Sequence, residues 1–106
     1  MVAEVTVKEL SERRQAKTAP VLLDVRDAWE LDIASLSGVV HIPMSEVPNR
    51  LSELDPAAET IVMCRSGGRS LKIGQYLEAH GFARVANLTG GILAWSAEID
   101  PSVKQY

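Results

Sequence analysis

The stretch "TIVMCRSGGRSLKIGQYLEAHG", residues 60–81, decides the fold of this chain. It begins with a continuous apolar run at 60–64, which is typical of a strand that is buried on both faces. A short polar loop with two adjacent glycines follows, and then an amphipathic segment with Gly81 just beyond its end, where helices often stop. The sequence therefore predicts a buried strand that ends at Cys64, a tight loop, and a helix that starts near Ser70.

The rest of the chain repeats this alternation of strand and helix. Three further apolar runs, at 21–25, 37–43 and 84–88, are predicted as strands. Two other segments are predicted as helices, 7–15 after the N-cap Thr6 and 45–54 with Ser45 as its own N-cap, and a short helix follows the turn at Gly90 and Gly91. This pattern indicates an α/β fold with a central, mostly parallel sheet.

Length and composition limit the classes of function. A chain of 106 residues with 46% hydrophobic residues is expected to form one domain, residues 1–106. Its net charge of −3 is spread along the chain, so we expect no nucleic-acid partner. It has no apolar run long enough for a membrane span and no secretory signal, so a cytoplasmic protein is expected. His41 and His80 are isolated, so we expect no metal site and no cofactor.

The loop after Cys64 has the residues of an anion-binding nucleophile site. Ligands of parallel sheets bind beyond the carboxyl ends of the strands, where Cys64 is placed. Gly67 and Gly68 allow the loop to curl so that its N–H groups point inward, and the following helix N-terminus adds partial positive charge. With Arg65 and Arg69 beside it, the thiol is expected to have a lowered pKa and to act as a nucleophile.

Two classes of substrate suit such a site: phosphate esters or similar oxyanions, and sulfane-sulfur donors such as thiosulfate. A plain structural alternative also exists, because a single cysteine is often only a small buried hydrophobe and a glycine pair is often only a turn.

Three ordered motifs resemble those of the single-domain rhodaneses, which are sulfurtransferases: "LLDVRDAWEL" at 22–31, "CRSGGRS" at 64–70 and "LTGGILAW" at 88–95. The resemblance implies a three-layer α/β fold with helices on both faces of the sheet. It also implies that Cys64 accepts a sulfur atom as a persulfide. The residues implied to bind the substrate are those of the loop: Arg65, Ser66, Gly67, Gly68, Arg69 and Ser70.

The sequence departs from the family in one segment and from a related class in loop length. Ser35 stands where the family often has a histidine, which bears on local loop structure. Cysteine-dependent phosphatases resemble a pattern with five residues between the cysteine and the anion-binding arginine, whereas four separate Cys64 from Arg69 here. The shorter loop favours a single sulfur over a phosphoryl group, and a phosphatase would also need a general acid.

We therefore expect a sulfurtransferase that takes sulfur from a small anionic donor and passes it to cyanide or a thiol, with a transient acceptor protein as a further partner. The alternatives are a non-catalytic rhodanese-like module that binds a partner, and a cysteine-dependent phosphatase. Among other residues, Asp24, Arg26 and Glu30 are predicted to form a structural ion-pair and capping cluster. Trp95 is either a core anchor or a wall of the active-site pocket, and Trp29 is expected to serve packing.

Overall fold

A parallel sheet of five strands forms the centre of the molecule, which a computed structural model describes for residues 2–18 and 20–106. Every strand pairs with its neighbours in parallel, in the order β1-β5-β4-β2-β3. The strands are Ala3–Val5 (β1), Val21–Asp24 (β2), Val40–His41 (β3), Thr60–Met63 (β4) and Val85–Leu88 (β5). The carboxyl ends of β2 and β4 are therefore neighbours, because Asp24 pairs in register with Met63.

Helices cover both faces of this sheet. They are Val7–Gln15 (α1), Ala28–Ile33 (α2), Gly68–Ala79 (α3) and Gly91–Glu98 (α4). Alternate residues of each buried strand point to opposite faces. On one face, Leu23 and Val62 lie in the same hydrophobic cluster as Leu77 of α3. On the other face, the alternate residues of the same two strands pack with α1 and α4. The three-layer α/β prediction is therefore confirmed.

Most predicted elements are present within two residues of their expected bounds, but the strand predicted over 37–43 is reduced to Val40–His41. Thr6 caps α1 as predicted, because its hydroxyl accepts a hydrogen bond from the N–H of Glu9. The helix predicted from near Ser70 starts at Gly68, so the second half of the loop forms its first turn. Gly81 has a φ of 90° just after this helix, in the left-handed conformation that ends many helices.

The prediction of a single α-helix over 45–54 is wrong. The structure has two short 3₁₀ helices there, Met44–Asn49 and Leu51–Glu53. Pro48 lies inside the first of them and has no N–H to donate, so it interrupts an α-helical hydrogen-bond ladder. The N-cap is Pro43, not Ser45. In the described part of the chain, no helix has the length and apolar character needed to cross a membrane.

Candidate active site

Cys64 follows β4 directly and lies inside the turn that leads to α3. Its Sγ accepts a hydrogen bond from the backbone N–H of Gly67 at 3.1 Å. Gly67 adopts a φ of 111°, a conformation that glycine reaches without steric cost, and this bends the backbone back toward the sulfur. The loop thus curls toward the sulfur as expected, but only Gly67 takes a positive φ, because Gly68 is already the first residue of α3.

A second layer of polar groups supports the sulfur from α3 and β5. The Oγ of Ser70 lies within hydrogen-bond distance of both the Sγ of Cys64, at 3.3 Å, and Oδ1 of Asn87, and its one proton turns to the sulfur when Cys64 is a thiolate, which can only accept. The amide nitrogen of Asn87 donates to the carbonyl of Gly67 at 3.2 Å. Both Ser70 and Asn87 are buried, so these contacts fix the turn on two sides.

The hydrogen bonds around Cys64 decide its acidity. Burial of the thiol opposes ionisation and by itself raises the pKa. Hydrogen bonds from the hydroxyl and N–H of Ser70, and from the N–H groups of Gly67 and Ser66, outweigh that effect. The pKa of Cys64 is therefore lower than that of an ordinary cysteine, and the thiolate is the nucleophilic form.

Burial also limits access to this sulfur. Cys64 is only 1% exposed. A substrate therefore reaches the sulfur only when the loop or the side chains above it move.

The two arginines of the loop already have partners inside the chain. Arg65 is exposed and donates from Nε to the backbone carbonyl of Tyr106 at 2.6 Å, with its guanidinium 5.2 Å from the centre of the Tyr106 ring. Arg69 forms a two-pronged ion pair with Glu30, at 2.7 and 2.8 Å. The charge of Arg69 is thus partly balanced by a carboxylate that lies 39 residues earlier in the sequence.

The predicted cluster of Asp24, Arg26 and Glu30 is present, and Tyr106 completes it. Arg26 and Asp24 form an ion pair whose side chains are both 0% exposed. The Tyr106 hydroxyl accepts a hydrogen bond from Arg26 and donates one to Glu30. Hydrogen bonds from Arg69, from the N–H of Asp27 and from Tyr106 outweigh the effect of burial and lower the pKa of Glu30 to about 2.

The start of α4 packs against the loop that follows Cys64. The N–H groups of Ile92 and Leu93 donate to the carbonyls of Cys64 and Arg65 at 3.0 and 3.1 Å. This approach requires a glycine at 91, because a Cβ there would lie 2.5 Å from both carbonyl oxygens. Gly91 therefore does more than form the tight turn that the sequence predicts. It allows α4 to pack directly against the nucleophile loop, residues 64–70.

An open groove of about 520 Å³ runs beside the loop. Arg69 lines it, and so do apolar residues such as Met44 and Ile73, which pack in the same hydrophobic cluster as Cys64. Of residues 64–70 only Arg69 lines this groove, so it offers space for a substrate beside Arg69 and not at the sulfur itself.

Three expectations outside the loop can be compared with the structure. Trp95 is buried among residues of α1 and β5, on the sheet face opposite the cluster of Cys64, so it is a core anchor. Trp29, which is expected to serve packing, is instead 59% exposed and contacts only the edge of the Tyr106 ring among the aromatic residues described, so it is not part of the core. Within residues 2–18 and 20–106, no cluster of three or more possible metal ligands occurs.

Sequence reasoning missed Asn87 and Tyr106. Asn87 carries a signal, because it is a polar residue in the middle of the predicted strand 84–88. Tyr106 carries none, since its contacts join residues that lie far apart in the sequence.

Comparison with known proteins agrees with this geometry. The sequence model of the family described as "Rhodanese-like domain" matches residues 6–98. The chain belongs to the rhodanese-like sulfurtransferase family. A protein named "Sulfurtransferase" from Allochromatium vinosum is 35% identical over 96 residues, which cover 91% of this chain and 90% of that protein.

Two further rhodanese-like proteins place the fold. The Arabidopsis thaliana protein named "Rhodanese-like/PpiC domain-containing protein 12, chloroplastic" is 38% identical over 99% of this chain, which spans only 38% of that longer protein. The crystal structure of a rhodanese-like domain protein from Staphylococcus aureus superposes with a TM-score of 0.85, at 27% identity and 99% coverage of both chains.

Proposed function

We propose that this rhodanese-like protein transfers a sulfane sulfur from a small anionic donor such as thiosulfate to cyanide or a thiol, with Cys64 as the carrier. The observation that carries the proposal is the cradle of N–H and O–H groups on the Sγ of Cys64, which lowers the pKa of that thiol. A lone cysteine that served only packing would gain nothing from these donors.

In the first step, the Cys64 thiolate attacks the outer sulfur of the donor. A new S–S bond forms between Sγ and that sulfur, while the bond between the two sulfurs of thiosulfate breaks and its electron pair leaves with sulfite. Sulfite is a stable anion and needs no general acid. The enzyme is left with a persulfide on Cys64, a covalent intermediate that divides the transfer into two easier steps.

In the second step, an acceptor removes the sulfur. The carbon of cyanide, or the sulfur of a thiolate, attacks the outer sulfur of the persulfide. The S–S bond breaks, its electron pair returns to Cys64, and thiocyanate or a new persulfide departs. The thiolate of Cys64 is then restored for another cycle, with no change in the net redox state of the enzyme.

The loop binds the charges that move in these steps. The backbone N–H groups of Ser66 and Gly67, with Ser70, are aimed at the sulfur and stabilise negative charge on it. Gly68 begins α3, whose N-terminus adds partial positive charge. Arg65 and Arg69 supply the full positive charges that attract the donor.

A steady-state assay with thiosulfate and cyanide tests the proposal. Thiocyanate is expected to form in proportion to enzyme, and the Cys64→Ser variant is expected to lose the activity. Undiminished turnover by that variant would refute the assignment of Cys64. Fast release of phosphate from an aryl phosphate, without thiocyanate formation, would instead favour the phosphatase alternative. A folded wild-type protein with neither activity would favour the partner-binding module.

A further inference from the structure

The carboxylate of Glu30 binds the guanidinium of Arg69 on the side that faces away from solvent. Its two oxygens accept from two different nitrogens of Arg69, at 2.7 and 2.8 Å. The side chain of Glu30 is 3% exposed, whereas that of Arg69 is 34% exposed. The pair therefore has a buried acidic side and an accessible basic side.

Glu30 is itself fixed by groups that do not belong to the loop. The N–H of Asp27 donates to it at 2.9 Å, and the Tyr106 hydroxyl donates at 2.8 Å. Tyr106 in turn accepts from Arg26, which is ion-paired with the fully buried Asp24 at the end of β2. This chain of contacts ties the orientation of Arg69 to the sheet.

The fork of a guanidinium has five N–H groups, and Glu30 uses one on each terminal nitrogen of Arg69. Across residues 2–18 and 20–106, the remaining N–H groups have no partner and can meet an anion. Arg69 lines the open groove, and its positive charge interacts with the charge of the Cys64 thiolate. An arginine that is already oriented loses less conformational freedom when it binds an anion than a mobile one does.

We propose that Glu30 is a positioning residue for sulfur transfer, which orients Arg69 so that its outer N–H groups meet the anionic donor. This inference rests on the proposed function. It goes beyond it by assigning a kinetic role to a buried carboxylate that does not itself contact the sulfur. The simpler alternative is that the Glu30–Arg69 pair only ties α2 to α3.

The test compares Glu30→Gln with a matched control, Glu59→Gln. Glu59 forms an equally short, two-pronged pair with Arg13, but it precedes β4 and so lies at the opposite end of that strand from Cys64. In the thiosulfate and cyanide assay, we expect Glu30→Gln to raise the KM for thiosulfate by about tenfold, the effect of one lost charge-assisted contact. Its kcat is expected to stay within about twofold of the wild type, and Glu59→Gln to change neither constant.

A double-mutant cycle with Arg69→Gln shows whether Glu30 acts through that arginine. Arg69→Gln alone is expected to raise the KM for thiosulfate. Adding Glu30→Gln to it is expected to change the KM by less than about twofold, because no guanidinium remains to be oriented. Independent, additive effects of the two substitutions would overturn the proposal.

Tyr106→Phe provides a second variant where Glu30→Gln does not fold. It removes one donor to Glu30 but keeps the aromatic ring, and we expect a rise of about threefold in the KM for thiosulfate. An unchanged or lowered KM in the folded Glu30 variant, or an unchanged KM in the Tyr106 variant when only that one folds, would overturn the positioning role. If the variants form the persulfide and their KM for thiosulfate is unchanged, only the positioning role of Glu30 is refuted. If the wild-type protein forms no persulfide, the proposed function is refuted as well.

Discussion

The sulfur of Cys64 depends on hydrogen bonds from its own loop for its acidity, and the hydroxyl of Ser70 is the one that a side-chain substitution removes. We expect Ser70→Ala to raise the pKa of Cys64, because fewer hydrogen bonds then offset the effect of burial on the thiol. The rate of alkylation by iodoacetamide, measured against pH, should rise at higher pH than in the wild type. Ser52→Ala, at an exposed serine outside the site, should leave the curve in place. A curve unmoved by Ser70→Ala would contradict this account of the thiol.

The buried pair of Asp24 and Arg26 is expected to be the most costly ion pair to break. Asp24→Asn leaves the fully buried guanidinium of Arg26 without a full counter-charge, which costs about 3–5 kcal/mol of unfolding free energy. Urea unfolding at neutral pH measures this loss. The control is Glu53→Gln, because its pair with Arg50 is exposed and should contribute little. Equal small losses in both variants would show that burial does not set the cost.

At this scale the sequence predicts which residues carry chemistry better than it predicts their partners. Cys64 and its glycines follow one another along the chain, so their local geometry can be inferred from the sequence. The partner of Arg69 cannot, because Glu30 is distant in sequence and several acidic residues compete for it. The sequence indicates that Asp24, Arg26 and Glu30 form a charged cluster, but it does not reveal Tyr106 as its link.

Among the elements, α4 is the one whose position depends most on a single residue. Gly91 has a φ of 59°, and an added Cβ would meet the carbonyls of Cys64 and Arg65 at 2.5 Å. We expect Gly91→Ala to lower the unfolding free energy by roughly 3 kcal/mol or more and to reduce kcat, because the nucleophile loop must shift.

Gly81→Ala is the matched control for this prediction. Gly81 also has a positive φ, 90°, but a Cβ added to it would have no neighbouring heavy atom within 4 Å. Only backbone strain remains there, about 1–2 kcal/mol, and kcat should not change. Urea unfolding and the thiocyanate assay measure both variants. Equal losses of stability with kcat retained in both would contradict the role of Gly91 in seating α4.

Elements with a strong periodic pattern are predicted well from the sequence, and short ones are not. The strands near 21–25 and 60–64 and the long α3 are found because their apolar patterns extend over several residues. The strand β1 has three residues, mostly exposed, and α2 has six, which is too short for a helical period to be visible. Both are formed by tertiary contacts, such as the pairing of β1 with β5.

For the whole molecule, acid is expected to remove stability over a wide range of pH. Ion pairs and hydrogen bonds lower the pKa values of Glu30, Glu53, Glu59 and Asp100 in the folded state. A carboxylate with a lowered pKa stabilises the fold above its unfolded pKa, and this stabilisation is lost as the pH falls through the folded value. For Glu30 the window runs from the ordinary value of 4.5 down to about 2.

Thermal unfolding followed by circular dichroism tests this expectation. The Tm of the wild type should fall as the pH is lowered from 4.5 toward 2, and the Glu30→Gln variant should show a shallower fall over this range, because it lacks this titrating group. Parallel curves for the two proteins would contradict the assignment of a strongly lowered pKa to Glu30.

The central claim is that Cys64 carries the transferred sulfur, and intact-mass spectrometry after exposure to thiosulfate tests it most directly. We predict a mass gain of one sulfur atom on the wild type, its removal by cyanide, and no gain on Cys64→Ser. A folded wild-type protein that gains no sulfur, or a Cys64→Ser variant that gains it equally, would contradict the account.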